Sequence, residues 1–203
     1  MPGIDRMIAS ALSSEIKKGL DLEILKKVER ELFLEQGMSI KLSIEHFGKF
    51  SRVLKKNSNL DVEKFEKECI SKILKIKKNN EKYSVTILDL DLKNLILEVF
   101  GEIEARKIIY CLLEKEYTIP DILKESKIPK TSGYRKIENL ILDGLVIESG
   151  KVLSESKKIS KLQCVFQEIK IDIKKGNISI IGIVGKKMLE NSTSLKVVLE
   201  SLE

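Results

Sequence analysis

A chain of 203 residues with 42% hydrophobic content can bury one sizeable core or two small ones, and its formal charge of +6 suits a polyanionic partner, although lysines interleaved with glutamates also solvate helices. Three cysteines without close pairing argue against a disulfide scaffold and for a reducing cytoplasm, and no run approaches the roughly 18 apolar residues that span a bilayer. A single histidine removes most acid–base arrangements, and no nucleophile elbow, metal-ligand cluster or dinucleotide fingerprint is present, so neither an enzyme, a cofactor nor a bound metal is expected.

In chain order, Ile4, Ile8, Ala11, Leu12 and Ile16 have helical spacing and predict an amphipathic helix that must dock onto something to persist. A second helix begins at Asp21, with Leu22, Leu25, Val28, Leu32 and Phe33 facing inward, and stops at Gly37. Ser39 caps a short element, Phe47, Phe50, Val53 and Leu54 form the next apolar face, and a helix from Leu60 to about Ile76 aligns Val62, Phe65, Cys69, Ile70 and Ile73. These pieces predict a helical domain over 1–76, with His46 as a boundary side chain. The charged, poorly patterned run that follows, with Asn79-Asn80, reads as a linker over 77–88, although Tyr83 to Leu88 is rich in β-formers. The tail, 186–203, has Leu195, Val198, Leu199 and Leu202 at helical spacing.

The intervening stretch, 89–185, is the most informative. Asp89 or Asp91 caps a helix that ends at Gly101, and Ile108, Ile109, Leu112 and Leu113 stripe the next one. Thr118, Pro120 and Asp121 then start a short helix that ends before Pro129, because the residue preceding proline is pushed out of the α region. A further helix runs from Lys130 to Asp143. Gly133, Ile137, Leu140 and Ile141 form its buried stripe, leaving Lys130, Thr131, Ser132, Tyr134, Arg135 and Glu138 without core duty, and Lys136 is counted with the cations expected to contact DNA. Asp143-Gly144 ends it. Leu145 to Ile147 and Ile159 to Phe166 read as two strands, with Ser149-Gly150 as a turn and Lys151, Lys157 and Lys158 on the 149–158 connection. A helix with a polar, basic and bare first turn is suited to a groove. Arg135 can fork to guanine, Thr131 and Ser132 can reach bases or phosphates, Tyr134 can pack on a sugar or a thymine methyl, and the lysines of the connection can pair with phosphates.

Beyond it, Ile169, Ile171 and Ile173 alternate with Lys170 and Asp172, the chain turns at Lys175-Gly176-Asn177, and Ile178 to Val184 returns as a second strand. This hairpin is apolar on both faces and is expected to extend the preceding sheet. The sequence Gly182-Ile183-Val184-Gly185-Lys186 fails as a phosphate loop, because Ile180 stands where the first glycine belongs and Lys187 where a hydroxyl is required.

The segment Ile108 to Leu113, together with Ile119-Pro120-Asp121-Ile122-Leu123, the run Ile128 to Ile137, and Leu142-Asp143-Gly144-Leu145-Val146, resembles the archaeal branch of the ArsR-like winged-helix transcription regulators over about half the chain. Metal-sensing members of that family carry cysteine or histidine ligands; Cys69, Cys111 and Cys164 are scattered, so metal sensing does not carry over. Residues 21–76, through Gln36-Gly37-Met38-Ser39-Ile40 and the phenylalanine-rich segment after it, resemble a small helical output module of archaeal signalling proteins. The combined expectation is an α+β chain: an N-terminal helical domain followed by a winged helix-turn-helix domain with an extended C-terminal β-hairpin. Its expected partners are double-stranded DNA and a second copy of itself, with no membrane and with any effector left open. The alternative is a winged-helix module that joins proteins without reading sequence.

Overall fold

Helix α1 (Gly3–Gly19) is buried along most of its length in a computed structural model that describes residues 3–113, 115–154 and 157–202. Ile4, Ile8, Leu12 and Ile16 are fully enclosed, as their spacing requires. Around α1 lie α2 (Leu22–Gln36), the single turn α3 (Ile40–Ser43) with a 3-10 turn (Ile44–His46), α4 (Phe47–Asn57) and α5 (Val62–Ile73). Asp21, Ser39 and Asp61 each accept a hydrogen bond from a backbone N–H in the first turn that follows, which fixes the starts of α2, α3 and α5. Phe47 and Phe50 stack at 5.3 Å inside α4. Helix α2 departs from expectation, since Leu22 and Phe33 are 61% and 69% exposed while Val28 and Leu32 are buried. Residues adjacent in sequence lie about 100° apart around a helix, so a narrow seam that buries Leu32 turns Phe33 outward.

Residues 77–88 are not a linker. They belong to strands β1 (Leu74–Asn79) and β2 (Lys82–Ile87), which form a hairpin turned at Asn80 in the left-handed region, φ 53°. The chain then runs through α6 (Leu90–Gly101), α7 (Ile103–Leu112), the two-residue β3 (Tyr117–Thr118), α8 (Ile119–Ser126) and α9 (Lys130–Leu142). Strands β4 (Val146–Ser154), β5 (Lys157–Cys164), β6 (Glu168–Lys174) and β7 (Asn177–Gly185) follow, and the tail ends in α10 (Lys186–Glu190) and α11 (Lys196–Leu199).

Among the described residues the strands make two antiparallel sheets, one ordered β3-β5-β4 and the other β1-β2-β7-β6. The C-terminal hairpin therefore does not extend the β4–β5 sheet as expected. It pairs with β2, because Val184 and Ile180 come opposite Tyr83 and Ile87 and continue one buried face with them. The expected boundary at 77–88 is thus bridged by a sheet built from both sides of it, and the buried apolar residues form one continuous cluster. Ser149-Gly150 is likewise not a turn. It lies inside β4 at a register shift between Glu148 and Gly150, where a bulge absorbs the extra residue.

The two ends of the chain meet. Asp5, fully buried in α1, accepts hydrogen bonds from the hydroxyls of Ser192 and Ser194 at 2.5 Å each, from the Thr193 hydroxyl at 3.2 Å, and from the backbone N–H groups of Thr193 and Ser194. The carboxylate satisfies the loop between α10 and α11, and Leu195 behind it is fully buried. Among the described residues no helix is long and apolar enough to cross a membrane.

Candidate nucleic-acid interface

Helix α8 is started by a reciprocal cap, with the Asp121 N–H donating to Thr118 Oγ1 and the Thr118 N–H donating to the Asp121 carboxylate. It buries Ile122 and Leu123 and ends at Lys127 in the left-handed region, φ 55°. Ile128 is buried and Pro129 opens α9, so the two helices are joined by a turn of three residues. Gly133 sits at the crossing. A Cβ there would overlap Leu123 Cδ2 and lie 3.2 Å from Ile128 Cγ2, which is why the smallest residue occupies this position despite its helix cost.

Ile137 and Leu140 hold α9 on the core from below. Its end is a glycine stop: Gly144 has φ +74°, its N–H donates to the Ile141 carbonyl, and the Leu145 N–H donates to the Leu140 carbonyl. Gly144 also lies against α1, where an added Cβ would overlap the Met7 nitrogen and come within 2.8 Å of the Gly3 carbonyl oxygen. The far end of α9 is therefore braced directly by the N-terminal helix.

The start of α9 is different. Lys130, Thr131, Tyr134 and Arg135 are exposed, Tyr134 by 42%, and none of the described residues of the N-terminal region covers them. Lys130 and Tyr134, and Thr131 and Arg135, are four apart and so adjacent on the helix surface. Ser132 is half-buried and its hydroxyl leans toward the Pro129 carbonyl at 3.4 Å. No side chain caps the start of α9, as none caps α4, α7 or α10, and its first turn, like those of α4 and α10, holds no acidic residue. Its leading N–H groups, at the positive end of the helix dipole, have no side-chain partner.

Lys136 does not join this group. Its ammonium is paired with Glu102 and lies 3.5 Å from Glu104, with the side chain only 16% exposed, so it ties α9 to the start of α7. The expectation that it contacts a partner is corrected: three residues past Gly133, it turns toward α7 and away from the bare face. Lys151 is exposed and 3.6 Å from Glu148 on its own strand. Lys157 and Lys158 are exposed at the start of β5, and residues 155–156 lie outside the described set. Alternation separates them: Lys158 faces Leu153 across the ladder and shares its side with Lys151, whereas Lys157 shares the other side with Lys161.

Two further cations lie near this group. Lys127 is exposed in the turn between α8 and α9, two residues before Pro129, where the sequence signals only a helix break. Lys161 is half-buried on the strand facing Gly150, and only the register of the bulged hairpin places it.

Burial pushes the Cys69 thiol up to about 11 and the Cys164 thiol up to about 12, and raises Cys111 as well. Among the described residues no group of three metal-ligating side chains converges. No protein-family model, curated protein or solved structure matches the chain.

Proposed function

We propose that the chain is a sequence-specific, DNA-binding transcription regulator of winged helix-turn-helix type, acting by binding and not by catalysis. In this reading α7, α8 and α9 form the three-helix unit, α9 enters the major groove, and the β4–β5 hairpin is the wing against the phosphate backbone. The observation that carries it is the start of α9: uncapped, free of acidic side chains and presenting Lys130, Thr131, Tyr134 and Arg135 together, while the rest of the helix is braced by α8, α7 and α1. A rigid support behind a bare basic turn is the arrangement that base reading needs, because a loosely held side chain cannot discriminate hydrogen-bond patterns.

The roles divide by chemistry. Arg135 presents a planar fork suited to guanine O6 and N7; Thr131 and Ser132 are short donors near the helix start; Tyr134 supplies an apolar face with a polar tip. Lys130, Lys127 and the hairpin lysines Lys151, Lys157, Lys158 and Lys161 contribute charge toward phosphates, which raises affinity without specifying sequence.

The test is selection of bound fragments from a random duplex pool, followed by titration of the preferred site over a range of salt. Affinity is expected to fall steeply with salt, and Arg135→Ala to cost about 1–3 kcal/mol while relaxing preference at one base position. Absence of any bound fragment at low salt would overturn the reading.

A further inference from the structure

The four-stranded sheet has two unpaired edges, and they are built differently. Strand β1 exposes Lys75, Lys77 and Lys78, a row of like charges that repels another strand. Strand β6, at the opposite edge, reads Glu168-Ile169-Lys170-Ile171-Asp172-Ile173-Lys174. We infer that β6 is a homodimerisation edge, and that two copies of the chain pair through it antiparallel about a two-fold axis at Ile171, joining their sheets into one.

The inference stands on the register. Antiparallel pairing centred on Ile171 sets Glu168 opposite Lys174, Lys170 opposite Asp172, and Ile169 opposite Ile173, each twice by symmetry. All four charged pairs are attractive, and all four charged side chains of each copy lie on the same face. Within one chain, among the described residues, these charges meet along the strand, Lys170 with Glu168 at 3.2 Å and Lys174 with Asp172 at 3.0 Å, as exposed pairs of little worth to the monomer.

The other face supplies the apolar component. Ile169, Ile171 and Ile173 continue the sheet's inner face, yet burial fades along them until Ile173 is 70% exposed. In the dimer each Ile173 lies against the partner's Ile169, next to the core. The edge also has room at that end. A cleft of about 460 Å³ opens beside Glu168 and Ile169, lined also by Tyr110, Tyr117 and Glu125, and the end of the partner strand with Lys174 enters it beside two carboxylates. The residues of this surface are not those at the exposed start of α9, so the inference does not depend on the nucleic-acid reading.

Sedimentation at low ionic strength tests it with a charge swap. The parent chain is expected to be dimeric. Lys170→Glu sets glutamate against Asp172 twice, and Asp172→Lys sets lysine against Lys170 twice, so each variant alone is expected to associate at least about tenfold more weakly. Mixed in equal amounts the two restore attraction at every pair, and the dimer is expected to return as a heterodimer. A monomeric parent, single variants as dimeric as the parent, or a mixture that stays monomeric would each overturn the proposal.

Discussion

At the residue scale, buried polar groups separate what holds the fold from what is left for a partner. Glu66 is 3% exposed on α5, where the Ser51 hydroxyl donates to it at 2.5 Å. Burial raises its pKa above the usual 4.5, and the Ser51 hydrogen bond offsets only part of that. The folded state therefore holds this proton more tightly than the unfolded chain does. Stability from this group is intact below the ordinary carboxylate range and declines as pH rises through the raised value. Glu66→Gln removes the charge and keeps an acceptor for Ser51. It is expected to raise the melting temperature near pH 7, with the advantage vanishing below about pH 4.5, where both chains are neutral at this position; a constant difference across pH would dismiss the burial argument. Gly144 tests the opposite kind of position. With φ +74° and backbone of α1 where a side chain would go, Gly144→Ala is expected to cost at least about 2 kcal/mol by denaturant titration. Neither effect was readable from sequence. Glutamates on helices are usually solvated, and the Asp-Gly pair at 143–144 announced a helix stop without revealing that α1 lies across it.

At the element scale, the α8–α9 pair was legible because local chemistry alone fixes it. Thr118, Pro120 and Asp121 start α8, Pro129 separates the helices, and Gly133, Ile137 and Leu140 choose the buried face. The pairing of Lys136 is not legible locally, because its partner Glu102 is distant in sequence and precedes another helix. The hairpins were harder. Ser149-Gly150 is a turn signal in isolation, but pairing of Gly150 with Lys161 overrides it and makes a bulge, and the Lys-rich run of β1 hid a strand with only two buried residues. Two opposed terms meet at Gly133. Alanine would gain roughly 1 kcal/mol of helix propensity, whereas overpacking against the buried Leu123 and Ile128 costs roughly 1–3 kcal/mol. Because both neighbours are enclosed, the clash wins. Gly133→Ala is expected to destabilise by about 1 kcal/mol and, by tilting α9, to weaken duplex binding beyond that loss, whereas an unchanged or higher melting temperature would mean that α8 yields freely. On the hairpin, removing charge at Lys157 and Lys158 together is expected to weaken all DNA sequences alike and to flatten the dependence of log affinity on log salt by about one unit per lost phosphate contact. A selective loss for one sequence would place these lysines at bases.

At the scale of the whole molecule, α1 and the chain ends do what separate domains were expected to do. Long-range contact is invisible to periodicity: the helical spacing in α1 implied a docking surface, but not that it would lie against α5, α6, α10 and the Gly144 turn at once. The same holds for β2 and β7, whose pairing joins residues about a hundred positions apart and turns an apparent linker into the middle of a sheet. The Asp5 cluster makes this integration testable. Asp5 is fully buried and receives three hydroxyls and two backbone N–H groups from Ser192, Thr193 and Ser194, while the Phe47 N–H donates to Thr193 Oγ1 at 3.2 Å, so one carboxylate joins α1, the start of α4 and the tail. Asp5→Ala leaves several buried donors without an acceptor, each worth about 1–3 kcal/mol, so even with partial rearrangement the loss should be about 3 kcal/mol or more. Because α1 also braces the end of α9 at Gly144, that loss is expected to appear everywhere. Hydrogen exchange should quicken in α1, α9 and the four-stranded sheet together, with urea unfolding remaining a single transition at a lower midpoint. Faster exchange confined to residues 192–202 would instead make the tail an independent flap and uncouple the chain ends from the support of α9.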